Sequence, residues 1–147
     1  MPYVERSIVI CGDIESVYAL AKDMERYPEF MPDVKSVKVI SREGNTTLTE
    51  WVTSVEGTPI LWTEKDIFDD QNHRIDYRLV EGDLDKFEGS WIFRPTRVGT
   101  EVVLGVDYDF GIPELTALIG PTLQEKVGEN SEMMLQGMKK RIEGSDQ

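Results

Sequence analysis

Six short segments follow one another between Asp33 and Phe110 with only turn signals between them: DVKSVKVISRE, TTLTEWVTSV, PILWTEKDIF, HRIDYRLV, KFEGSWIFRP and TEVVLGVDYDF. The breaks fall at Gly44-Asn45, Glu56-Gly57, Asp69-Asp70, Glu81-Gly82-Asp83 and Val98-Gly99. Apolar residues alternating with polar ones predict strands. Connections this short join neighbouring strands only as hairpins, because a parallel crossover needs a dozen or more residues. The middle of the chain is therefore expected to be an antiparallel meander.

The flanks supply the layer that covers it. YVERSIVI, residues 3 to 10, reads as one more strand. Asp13 is suited to cap a helix carrying Ile14, Val17, Tyr18, Ala21 and Met24 on one face, and Pro28 is expected to stop it. After Pro113, Leu115, Leu118 and Ile119 predict one short turn, with a break or kink at Gly120-Pro121. Leu123, Val127, Met134, Met138 and Ile142 then predict a long C-terminal helix, with Asn130 on the same stripe. The fold class is α+β, with helices on one face of a curved antiparallel sheet. At 147 residues, residues 1–147 are expected to form a single domain with a core large enough to need no staples.

Strand parity sorts the two faces. Ile75, Tyr77 and Leu79 share one side with Phe87, Gly89, Trp91 and Phe93, and with Leu104, Val106, Tyr108 and Phe110. The opposite side carries Arg74, Asp76, Arg78, Glu88, Ser90, Arg94, Asp107 and Asp109, a set suited to cross-strand charge pairing in water. Gly89, between Phe87 and Trp91, either admits an opposing helix or leaves space. The segment RYPEFMPDVKSV places Phe30 and Met31 between Pro28 and Pro32, where they either plug a core or gate a cavity. An aromatic stripe facing a methionine-bearing helix reads as packed core or as the wall of a binding cavity.

Acidic residues outnumber basic ones 28 to 16, a net charge of −12. That balance repels phosphate backbones and anionic lipid, so nucleic acid and stable membrane insertion are not expected. The KKR run at 139–141 suits the last turns of a helix. Cys11 is the single cysteine and is expected to be a small buried residue beside a strand end. With no internal disulfide and no signal or spanning segment in the sequence, the expected location is cytoplasmic. His73 follows an acidic turn with no second ligand at metal spacing, so it is expected to be solvated, and no metal or cofactor is expected. Trp62, Glu64 and Asp66 share one parity. Unpaired charges are almost never fully buried, so a twist or bulge carrying both carboxylates to water is the favoured reading; the other leaves two carboxyls able to act as acid and base.

The run MERYPEFMPDVKSVKVI after VYALAKD, the hairpin LVEGDLDKFEGSWIF, and VDYDFGIP ahead of a long terminal helix resemble the polyketide cyclase/dehydrase and coenzyme Q-binding protein families of the START-like superfamily, also called SRPBCC. The resemblance implies a helix-grip fold: a first strand, a helical pair, six further strands, and a seven-stranded sheet wrapped around the C-terminal helix with a deep apolar cavity between them. It implies binding or transport of a hydrophobic small molecule such as a polyketide, isoprenoid quinone or lipid. Phe30, Met31 and Val34 would gate the cavity, and Trp62, Trp91, Phe110 and Met134 would line it. Glu64, Tyr77, Tyr108 and Asn130 would orient the guest. Similar aromatase/cyclases carry an arginine where this chain has Asp66 and a tyrosine where it has Val34, so acid–base cyclisation stands as an alternative and whether the protein is an enzyme stays open. Ribosome-associated relatives leave a protein partner open, as does a homodimer.

Overall fold

The computed structural model describes residues 3–55, 58–109 and 113–144. The strands are β1 (Tyr3–Ile10), β2 (Val34–Glu43), β3 (Thr46–Val55), β4 (Thr58–Asp69), β5 (Arg74–Gly82), β6 (Lys86–Pro95) and β7 (Thr100–Asp109). Two helices complete the order: α1 (Ile14–Lys22), followed by a 3-10 segment at Met24–Glu29, and α2 (Pro113–Gly144). The strands form one antiparallel sheet in the order β1-β7-β6-β5-β4-β3-β2. The meander is therefore closed on one edge by the N-terminal strand. This is the helix-grip architecture that the sequence implies.

Asp13 caps α1 as expected, its carboxylate accepting from the Ser16 N–H and hydroxyl. The helix ends at Lys22, six residues before Pro28, which instead lies inside the 3-10 segment. Tyr27 accounts for the early stop. Its buried phenol donates to the Ala21 carbonyl at 2.5 Å, satisfying an acceptor that another helical turn would have used. α2 likewise departs from expectation, running unbroken through Gly120-Pro121. Its buried stripe is Ser131, Leu135 and Met138, and α2 packs chiefly on β1 rather than over the sheet centre.

The hairpin between β2 and β3 turns on Gly44, whose φ of +62° suits a residue without a Cβ. On the wet face Arg74 donates to Ser90 at 3.0 Å, Ser90 donates to Asp76, and Lys86 meets Asp107 at 3.0 Å, the cross-strand lattice that parity predicts. Three local expectations need correction. Cys11 is exposed, because the chain leaves β1 at Ile10 and turns outward before α1. His73 is not simply solvated: it takes a left-handed φ of +51°, packs edge-on against Tyr18 and pairs with Glu15. Gly89 neither admits a helix nor leaves a void. The Tyr77 phenol crosses above it to donate to the Gly105 carbonyl at 2.6 Å, and a Cβ there would lie 2.8 Å from the phenol oxygen.

Among the described residues no helix is long and apolar enough to cross a membrane.

Candidate functional site: a tryptophan-lined cavity over a buried carboxylate pair

Because α2 leans toward β1, the space above β3–β6 is filled by side chains rather than by helix. Five of these are aromatic: Trp51 from β3, Trp62 from β4, Tyr77 from β5, and Phe87 and Trp91 from β6. The Trp51 and Trp62 rings stack with centroids 5.6 Å apart and planes 6° from parallel, and Phe87 leans on Trp62 at 4.9 Å. They leave a cavity of about 30 Å³. That is room for a water molecule or two.

Of the residues that the sequence nominates, the structure brings Val34, Trp62, Glu64, Tyr77, Trp91 and Met134 to this cavity. Trp51, Thr53, Phe87, Leu104 and Val106 join them without having been nominated. Tyr108 is buried and Asn130 half-buried, both away from the lining. Met31 is fully buried in the core, and Phe30 lies half-buried under the Arg141 guanidinium, 5.4 Å from its ring centroid. Both border a separate surface hollow beside Gly137 and Lys140. Phe110 falls outside the described residues.

The expectation that Glu64 and Asp66 reach water is overturned. β4 stays regular through both positions on the β3 side, and they are 3% and 0% exposed. The β3–β4 register sets Thr47 opposite Asp66, Thr49 opposite Glu64 and Trp51 opposite Trp62, all on the inner face. A directed chain of donors follows. Trp51 Nε1 donates to Thr49 Oγ1 at 2.8 Å, so the Thr49 hydroxyl hydrogen is free to go to Asp66 Oδ2, at 2.6 Å. Thr47 adds a second hydroxyl at 3.2 Å, and Trp62 Nε1 donates to Glu64 Oε1 at 2.8 Å.

Burial, and then the neighbouring Asp66, hold the Glu64 carboxyl well above its usual range. Burial also raises Asp66, against the pull of Glu64, Thr49 and Thr47 as hydrogen-bond donors. Two carboxyls this close in a dry site do not both ionise. The donor chain aimed at Asp66 Oδ2 favours the anion there, with the proton kept on Glu64 at the cavity wall. Asp66 Oδ1 has no other hydrogen-bond partner, which leaves it to the Glu64 proton. The site therefore offers an apolar aromatic chamber, one carboxyl able to donate, and a buried negative charge behind it. No group of three or more metal-binding side chains occurs among the described residues.

Comparison with known proteins places this arrangement. The Thermus thermophilus protein TTHA0849 superposes with a TM-score of 0.94 at 36% identity, over 99% of this chain and 100% of that one. The granaticin polyketide synthase bifunctional cyclase/dehydratase of Streptomyces violaceoruber is 28% identical over 103 residues, a match spanning 68% of this chain but 32% of the Streptomyces protein. The ribosome association toxin RatA of Escherichia coli is 25% identical over 112 residues, 75% of this chain and 70% of that one. Residues 10–135 match the family model described as polyketide cyclase/dehydrase and lipid transport. The chain belongs to that family, as its strand-and-grip order and walled cavity anticipate.

Proposed function

We propose that this protein takes up a hydrophobic small molecule between the inner face of the sheet and α2. One observation carries the reading: all three tryptophans of the chain, Trp51, Trp62 and Trp91, face a single cavity whose only carboxyl among the described residues is Glu64. Burying apolar area there contributes about 25 cal/mol per Å², and a few polar groups suffice to orient a guest. At about 30 Å³ the resting cavity admits no polyketide or quinone whole. Uptake therefore requires the unbranched Met134 side chain and the loop that leads into β2 at Val34 to move aside, and in this reading Phe30 and Met31 act as the latch. The cytoplasm suits a chain with one exposed thiol and no internal disulfide.

The buried carboxyl pair favours a second reading, acid–base catalysis on the bound guest. Glu64 at the cavity wall would exchange its proton with the guest, as acid and then as base, with Asp66 behind it setting its affinity for the proton. The position that holds arginine in similar aromatase/cyclases holds Asp66 here, so any such chemistry would use the shared proton rather than a cationic group.

Native mass spectrometry of freshly purified protein tests both. The expected result is a co-purifying apolar compound that organic extraction removes. Val106→Phe, which fills the cavity, should abolish its retention while the protein stays folded. Loss of water from an added polyketide chain would add catalysis. Absence of any small molecule together with a tightly held protein would overturn the carrier reading in favour of a partner-binding role.

A further inference from the structure

The buried negative charge has no counter-ion of its own. Among the described residues no lysine, arginine or histidine forms an ion pair with Glu64 or Asp66. Lys65, between them in sequence, alternates to the opposite face of β4. The donors that hold the pair are neutral: two threonine hydroxyls and an indole. Neutral donors leave the net charge in place, and an uncompensated charge in a dry site is strongly disfavoured unless something supplies the opposite sign. In front of that charge the cavity is walled by Trp51, Trp62 and Trp91, so a cation entering there meets aromatic rings and little water.

Resting on the carrier reading above, we propose that the ligand is an amphiphile with a primary ammonium head, which sits against Glu64, with Asp66 behind it, in the cavity walled by Trp51, Trp62 and Trp91. The head fits the void as it stands, at about 30 Å³, whereas a trimethylammonium group does not. Its N–H donors are offered to the Glu64 carboxyl, the one carboxyl that the described lining holds. The apolar tail leaves past Met134, whose unbranched side chain can shift its rotamer to let it by.

The test is a fluorescence titration of the full chain, since every tryptophan lies in the cavity wall and reports on it directly. Four probes share one tail: decylamine, decyltrimethylammonium, decanol and decanoate. Decylamine should bind about tenfold or more tightly than decanol, with decyltrimethylammonium weaker than decylamine and decanoate weakest. In Asp66→Asn, which removes the buried charge, the amine-to-alcohol ratio should fall to about one. The amide oxygen of that variant can still accept from the Thr47 and Thr49 hydroxyls, and Glu64→Gln, whose amide oxygen can still accept from the Trp62 indole, should lower the ratio by removing the carboxyl that the head touches. Attraction of cations to the acidic surface is common to wild type and variants, so the difference between them reads the cavity alone. Equal binding of amine and alcohol overturns this proposal and leaves the carrier reading standing. An unchanged ratio in Asp66→Asn overturns it too. Failure of all four probes to bind overturns the carrier reading and this proposal together.

Discussion

Glu64 and Asp66 decide how this protein responds to pH. The folded-state pKa of Glu64 lies well above its ordinary value of 4.5, and that of Asp66 lies above 3.8, with burial the first cause in each case. A carboxyl raised in this way stabilises the fold in full below its unfolded pKa, and that contribution is lost as pH rises through the folded value. Tyr27 and Tyr77, the other titratable groups facing the pair, are held well above 10.0 and stay neutral in this window. Glu64→Gln, which cannot ionise, should therefore gain on the wild type as pH climbs from 4.5. In thermal melts between about pH 5 and pH 8, the variant-minus-wild-type difference should grow by about 1 kcal/mol or more. A flat difference would mean that Glu64 holds no proton there. The burial of this pair defeats a residue-by-residue reading, since isolated carboxylates belong in water. It was legible from the hairpin. Once the register of β3 on β4 is fixed, Thr47, Thr49 and Trp51 fall opposite Asp66, Glu64 and Trp62, supplying the donors that make burial tolerable.

At the scale of elements, the contact that locks the grip is between backbone and backbone. A Cβ on Gly137 of α2 would lie 2.2 Å from the Phe30 carbonyl oxygen, so the proline-flanked loop rests directly on the helix. Gly137→Val should push the loop away and lower stability by about 1–3 kcal/mol, read as a shift in the urea midpoint. No shift would mean that the loop floats free of α2. The strands were legible to within a residue or two: the reading reproduces β3 and β6 at both limits, because alternation and turn residues agree there. The helices were less so. Pro28 looked like the terminator of α1, yet the stop comes from a tyrosine side chain binding a carbonyl, which no spacing rule reports. Gly120-Pro121 looked like a break in α2, but the packing of Ser131, Leu135 and Met138 further along decides where that helix lies.

For the molecule as a whole, a net charge of −12 on a small chain is self-repelling. Its exposed ion pairs, such as Lys22–Asp70 and Arg26–Asp23, contribute little each and weaken with salt. Repulsion should dominate, so raising ionic strength from about 10 mM to about 100 mM, which shortens the screening length from about 30 Å to about 10 Å, should raise the melting temperature. A fall would show that the surface pairs outweigh the excess charge.

The near-closed chamber also links capacity to breathing. If only an open minority of molecules admits a guest, the observed dissociation constant exceeds the intrinsic one by the reciprocal of that minority's population. Tightness of the resting interior and avidity for a passenger then pull in opposite directions: a sequence that seals the space beneath α2 more completely melts later and holds its cargo less well.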